Sequence, residues 1–506
     1  MVTNHLFDQL LASRLEEKGP FLRFEDEESW SYKKTLNLSA RLSNCLVKLS
    51  VHAGDRVAVQ VDKSPYAIAL YIACIRCGAV FLPLNTAYTS KEIEYLLTDA
   101  QPSLLICDPR QTQAFSVIAD RHKIMLSSLD SQGVGELMCL AKGESTSFQT
   151  IAREPDDLAA LLYTSGTTGR PKGAMLSHNN LLSNAIALAK VWHFNRQDVL
   201  LHALPIFHTH GLFVATNVTL AVGCSMYLLA KFDAEQLIRL MPNSSVMMGV
   251  PTHYTRLLSE QNLTKKVTKN MRIFISGSAP LLNETHKAFE CRTGHNILER
   301  YGMTETNMNT SNPIKGERRV GTVGKALPQI EVRITNTDTN DKQKAGEVGM
   351  IEVRGPNVFI GYWQMPEKTA EEFRHDGFFI TGDLGRIDEA GYLCIDGRAK
   401  DLIISGGLNV YPKEVEVIMD LIEGVEESAV YGVSHPDFGE AVVATVVRED
   451  RGCLSEDDIN EALKLQLARF KQPKCIFFAD SLPRNAMGKV EKNKLRDQHS
   501  SLFQAP

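Results

Sequence analysis

Up to about residue 400, short β-branched apolar runs alternate with helix-period patterns. Arg56 to Val61 (RVAVQV) reads as a strand, Tyr66 to Cys77 as a helix, and Ala79 to Leu82 as the next strand. Ser103 to Cys107, Ser245 to Gly249 and Arg272 to Ser276 are continuous apolar runs, the form taken by parallel strands covered on both faces. Such alternation predicts an α/β protein with a doubly wound core. Between Gly346 and Ile395 the pattern changes. GEVGMIEVRG, DGFFITGDLG and AGYLCIDG are brief strands cut by Gly, Pro and Asp, which predicts an antiparallel β unit closing the large domain.

The tail reads differently. Lys413 to Leu421 has a helix pattern, and Val425 to Val433 and Ala441 to Val447 read as strands. Ser455 to Leu467 reads as an amphipathic helix with Ser455 as N-cap and Asp457 and Asp458 in its first turn. This predicts a small α+β domain over 399–506, after a large domain over 1–398. The boundary falls in the polar, Gly-flanked stretch Asp396 to Asp401.

Composition narrows the class. The 506 residues carry 55 Lys plus Arg and 60 Asp plus Glu, a formal charge of −5. At 43% hydrophobic and 23% charged residues the chain is too apolar for disorder and lacks a nucleic-acid binder's basic surplus. Its ten cysteines form no dense framework, which fits a reducing compartment. Cys74 and Cys77 form a CxxC inside an apolar stretch and read as core rather than as a redox or metal pair. That stretch, Tyr66 to Leu84, is interrupted by Arg76, Gly78 and Pro83, so no membrane span is expected. Asp8, Glu16 and Glu17 argue against a secretory or mitochondrial leader, and SLFQAP is no peroxisomal address. The expected location is cytoplasmic.

The most distinctive segment is Tyr163-Thr-Ser-Gly-Thr-Thr-Gly-Arg-Pro-Lys-Gly173. Small hydroxyls lie around Gly166 and Gly169, whose backbones can approach an anion closely, and Arg170 and Lys172 trail behind. The Gly-to-Lys spacing excludes a Walker A loop. The residue types favour phosphate binding over a flexible turn.

This loop resembles the signature of the adenylate-forming superfamily, which includes acyl-CoA synthetases. Tyr301-Gly-Met-Thr-Glu-Thr306, Ile380-Thr-Gly-Asp383, Gly397-Arg398 and Pro483-Arg-Asn-Ala-Met-Gly-Lys489 follow in the same order. Within the superfamily the chain resembles the malonyl-CoA synthetases most nearly. HALPIFHTHGLFVATNVTL at 202–220, PTHYTRLL at 251–258 and ERYGMTETNMNTSNP at 299–313 carry that likeness. The resemblance implies an acid–thiol ligase using ATP, magnesium and coenzyme A. A carboxylate attacks the α-phosphorus of ATP, pyrophosphate leaves, and the thiol of coenzyme A then displaces AMP.

The roles it implies are specific. Thr164, Ser165, Gly166, Thr167, Thr168, Gly169 and Lys172 should hold the outer phosphates. Glu305, helped by Thr304, should be the magnesium ligand, although a lone Glu is usually a surface carboxylate. Tyr301 beside Gly302 should stack on adenine against the wall Gly277-Ser278-Ala279-Pro280, with Asp383 and Arg398 on the ribose. Lys489 should neutralise charge where carboxylate and phosphate join. Lys400 should be the hinge that swaps Lys489 for a coenzyme A tunnel around Ser405, Gly406 and Gly407.

The second carboxylate of a short diacid needs a cation. Arg256 and Arg300, with Ser278 between them in sequence, are the candidates, and a structural ion pair with Glu299 or Glu305 is the alternative for Arg300. His208 resembles a gate residue, and His210 is either a polar neighbour or a core histidine. Lys471, Lys474 and Arg484 either meet coenzyme A phosphates or form a solvated face. Malonate is the expected acid, with methylmalonate or another short acid as alternative, and monomer or homodimer the expected assembly.

Overall fold

The structure is a computed structural model. It describes residues 3–503 except 27, 165–170, 279–280, 282, 338, 399–402, 411, 450–453 and 484–489. Among these residues the large part of the chain is built on two doubly wound sheets. In one, Met125–Ser128, Leu104–Cys107, Arg56–Gln60, Val80–Pro83 and Leu158–Thr164 run parallel, and Lys172–Ser177 and Gly361–Tyr362 close it antiparallel. In the other, the parallel strands Ser225–Leu228, Val199–His202, Val246–Gly249 and Ile273–Ser276 lead to the hairpin Leu298–Met303 and Asn307–Ser311. The apolar runs read from sequence are these buried strands. Glu331–Thr335, Gly349–Arg354, Phe379–Ile387 and Leu393–Arg398 form the expected antiparallel unit.

The helix Pro65–Cys77 shows why an apolar stretch with one arginine is core. Ser64 caps it by accepting from Ala67 N–H, Pro65 opens it, and Gly78 ends it at φ 72°. Every residue from Ala67 to Cys77 is buried. Arg76 spends its donors on the carbonyls of Leu36 and Phe148, both 3.0 Å away, and on Ser39 Oγ at 3.1 Å. Cys74 and Cys77 are free and buried, and burial pushes the Cys77 thiol up to about 12. No described helix is long and apolar enough to cross a membrane.

The C-terminal part has its own core of Val415, Val430, Val442, Ile459 and neighbours. Val425–His435 pairs along its length with Gly439–Arg448, and Cys475–Ala479 adds a parallel strand. Helix Glu456–Lys464 begins at Ser455, which shares a reciprocal capping box with Asp458.

His178 lies on the helix His178–Val191 with both ring nitrogens buried and without a partner among the described residues. Burial, then nearby Arg153, lowers its pKa from 6.5 to about 4. In that interval the unfolded chain binds a proton that the folded chain refuses. Stability therefore falls as pH drops, by up to roughly 3 kcal/mol from this group. Replacing His178→Phe is expected to flatten the decline in Tm between pH 6.5 and 4 relative to the parent. Parallel Tm profiles for the two proteins would contradict it.

Candidate active site

The functional side chains gather beyond the carboxyl ends of both parallel sheets, where α/β folds bind ligands. Thr164 and Lys172 are register partners at the connected end of an antiparallel strand pair. Ser165, Gly166, Thr167, Thr168 and Gly169 lie between them, outside the described residues. Both flanks of this segment are tied to helix Ser90–Ala100. The Tyr163 hydroxyl donates to Asp99, and the Tyr95 hydroxyl donates to the Pro171 carbonyl at 3.3 Å.

Lys172 is buried. Its ammonium lies 3.0 Å from Glu372 Oε1 and 3.9 Å from the centroid of the Tyr362 ring. The Tyr362 hydroxyl sits 2.7 Å from Glu372 Oε2 and 3.1 Å from Glu305 Oε1. Thr164 Oγ1 approaches the same Glu305 oxygen at 3.4 Å. Burial raises the pKa of Glu305. Burial acts the same way on Glu372, but Lys172 and the Tyr362 hydroxyl outweigh it and bring that pKa down. One phenolic proton serves one carboxylate, so it goes to the ionised Glu372.

Tyr301 and Asp383 meet, the hydroxyl donating to Asp383 Oδ2 at 2.5 Å. Asp383 is buried and stands opposite Arg398 in strand register. Gly302 lies at a bulge of the hairpin, and Thr304 lines one cleft with Thr164 and His208. Ser278 holds a left-handed φ of 71°, and its hydroxyl is 3.3 Å from His210 Nδ1. Ala279 and Pro280 lie outside the described residues.

The pocket beside them is cationic. Arg300 is buried, and its Nε and Nη2 find no partner among the described residues. A Cβ on Gly277 would lie 2.3 Å from Arg300 Cζ, so only glycine lets the guanidinium lie there. Neither Glu299 nor Glu305 forms an ion pair with Arg300 among the described contacts. Burial pulls its pKa down to about 9, which leaves it charged at neutral pH. Burial and then Arg300 hold His208 down to about 4, and the same two causes keep His210 well below its ordinary value. Arg256 is placed differently from the sealed position expected of a clamp. Its side chain is 47% exposed, with Asp437 Oδ2 at 3.7 Å.

The small hairpin Ile403–Ser405 and Leu408–Val410 turns on Gly406 and Gly407, both at positive φ as its two-residue turn requires. Its tip packs on Val250, and Leu408 lines the cleft. Ser405 is buried in it. Lys400 and Lys489 lie outside the described residues, as does the Arg398 side chain.

A hydroxyl-rich segment between Thr164 and Lys172, a Tyr–Asp pair and a cationic pocket suit an acid–thiol ligase that draws on ATP and coenzyme A. The chain belongs to the AMP-binding enzyme family, whose pattern matches residues 12–363, and the family's C-terminal domain matches 414–489. It is 52% identical to apo MatB from Rhodopseudomonas palustris, with full coverage of both chains and a TM-score of 0.78. It is 28% identical to o-succinylbenzoate CoA synthetase from Bacillus subtilis bound with a product analogue, with 98% of each chain covered and a TM-score of 0.88. A malonate–CoA ligase of Arabidopsis thaliana is 32% identical over 98% of this chain and 90% of its own.

Sequence reasoning missed Tyr362, Glu372 and Lys63. Lys63 donates to the His202 and Leu204 carbonyls at 2.6 and 2.9 Å and to His202 Nδ1 at 3.0 Å, fixing the chain that leads to His208. No motif marks it, because its partners are backbone carbonyls 139 and 141 positions away. Replacing Glu372→Leu strands the Lys172 cation and is expected to cost about 3 kcal/mol in urea unfolding. The double change with Lys172→Met should regain most of it. Equal losses in single and double variants would show that the pair does not act as a unit.

Proposed function

We propose that the protein joins malonate to coenzyme A, forming malonyl-CoA, AMP and pyrophosphate through a malonyl-adenylate. One observation carries the choice of acid. Arg300 is a buried guanidinium with two unpartnered nitrogens, a costly arrangement that a carboxylate would relieve. A monoacid spends its only carboxylate on the α-phosphorus, whereas malonate has a second to offer. Ser278, His208 and His210 lie near the same guanidinium, and Arg256, half-exposed, lies near Asp437 of the small unit. The Arabidopsis relative carries malonate in its name.

In the first half, residues 164–169 and Lys172 hold the ATP phosphates, Tyr301 covers adenine, and Asp383 and Arg398 take the ribose. Glu305 fits a magnesium ion. It is a buried carboxylate with hydroxyls but no cation within ion-pair distance among the described residues, and Thr304 lines the adjoining cleft. Among the described residues no cluster of three His, Cys, Asp or Glu side chains could hold a metal alone, so phosphates would complete the shell. Magnesium would supply charge neutralisation on those phosphates. Lys489 offsets charge on the forming bond between carboxylate and phosphorus.

For the second half we assign 1–398 and 399–506 as two units turning about Lys400. The family patterns end at 363 and resume at 414, on either side of that point. The hairpin through Ser405, Gly406 and Gly407 then walls the path of coenzyme A. Two facts support a thioester-forming pose in this structure. Leu408 and Lys471 of the small unit line the cleft. The match to the 28%-identical synthetase bound with its CoA-product analogue exceeds that to the 52%-identical apo enzyme, which points to unit placement rather than chain divergence.

The decisive experiment is pyrophosphate release over malonate, methylmalonate, succinate, acetate and octanoate with coenzyme A present. Malonate is expected to give the highest kcat/KM, and a preference for octanoate or acetate would overturn the reading. Arg300→Met should lower kcat/KM for malonate by about 100-fold and leave acetate within tenfold. Lys489→Ala should abolish adenylate formation while preformed malonyl-adenylate still reacts with coenzyme A. Equal loss of both halves would remove that role.

A further inference from the structure

Lys471, which the sequence offered to coenzyme A or to solvent, does neither in the structure. Its side chain is 4% exposed, with Glu92 Oε1 at 3.1 Å and Glu414 Oε1 at 2.7 Å. Glu414 belongs to the small unit, and Glu92 lies on the large one. The ammonium also lies 4.9 Å from the Tyr88 ring centroid. Neighbouring contacts cross at the same place. The Gln466 carbonyl lies 3.4 Å from Thr89 Oγ1, and Lys91 donates to the Gln466 side chain.

The two oxygens of Glu92 divide their work. Oε2 accepts from Thr89 N–H and Thr89 Oγ1, both at 2.9 Å, and so completes the capping box of helix Ser90–Ala100. The cap leaves Oε1 for Lys471. If the small unit turns away, Glu92 returns to water and keeps its cap, while Lys471 keeps Glu414. The bond across the boundary is therefore made in one placement and lost at modest cost in another. The same helix reaches the phosphate-loop flanks at its far end, through Tyr95 to Pro171 and Asp99 to Tyr163. Its 11 residues make a rod of about 16 Å.

We propose that Lys471 and Glu92 are positioning residues, a charge latch that holds the small unit in the thioester-forming placement and seats it on the helix that anchors the phosphate loop. This rests on the two-half reaction above and not on the identity of the acid. The halves are measured separately, with whichever acid gives the fastest pyrophosphate release. One assay follows pyrophosphate release in a single turnover, and the other follows acyl-CoA formation from the purified acyl-adenylate.

Glu92→Gln keeps a side chain that serves a capping box and removes the charge. Lys471→Met keeps the length of the other partner. Each is expected to slow the thioester half about tenfold, a change of roughly 1.4 kcal/mol, and to leave the adenylate half within twofold. The double variant should be no slower than the worse single in the thioester half. Equal slowing of both halves, no slowing of either, or additive losses in the double variant would overturn the latch. If Lys471→Met fails to fold, Glu92→Gln alone decides, because its cap is retained. Failure of the malonate reading would show in the acid panel and leave this comparison intact.

Discussion

A charge taken out of water must find a partner, and the site of this protein is arranged around how each buried charge does so. Lys63 is met by two carbonyls and a ring nitrogen. Lys172 is met by Glu372 and the face of Tyr362. Among the described residues Glu305 has no cation at ion-pair distance, and Arg300 keeps two nitrogens without a partner. The first two are completed by the fold. The last two are incomplete in the protein by itself, and an arriving cation and an arriving anion would complete them. A chain with a net charge of −5 can thus attract polyanionic substrates through a few desolvated groups, with no overall positive field.

The two parallel sheets make that arrangement possible. Their strands end together, so residues from distant stretches of chain share one rim. Thr164 comes from one sheet, Ser278 from the segment after one strand of the other and Arg300 from the strand beside it, and Asp383 from the antiparallel unit. The Tyr301–Asp383 bond joins the second sheet to that unit. The Thr164–Glu305 contact joins the two sheets. Among the described residues the small unit meets the large one through polar contacts at Thr89, Lys91 and Glu92 and through the hairpin tip at Val250.

Much of the scaffold was legible because it rests on neighbours in sequence. Ser64, Pro65 and Gly78 bound their helix as local capping rules require. Ser455 caps its helix with Asp458, and the apolar runs at 104–107, 246–249 and 273–276 are buried strands. The Tyr163-to-Gly173 motif was legible for the same reason, since its distinctive residue types lie within one short window. The Tyr362–Glu372 bridge was not, because neither residue has a distinctive spacing to Lys172 or Glu305. The sequence offered both Arg256 and Arg300 as candidates, with a structural ion pair as the alternative for Arg300, and their surroundings separate them. One faces Asp437 in partial contact with water, and the other is sealed behind Gly277.

Sequence alone determined the α/β class and the membership in an acid-activating family. The class depends on periodicity and capping within short windows, and the membership on motifs that resemble those of a family. Tertiary structure alone decided which charges are paired, which are stranded and which cross between units. Pairing depends on desolvation, and desolvation is set by whatever the rest of the fold packs around a side chain. Lys471 makes the point most plainly. In sequence it is one basic residue in a polar tail, and in the fold it is a buried ammonium bonded to a carboxylate 379 positions away.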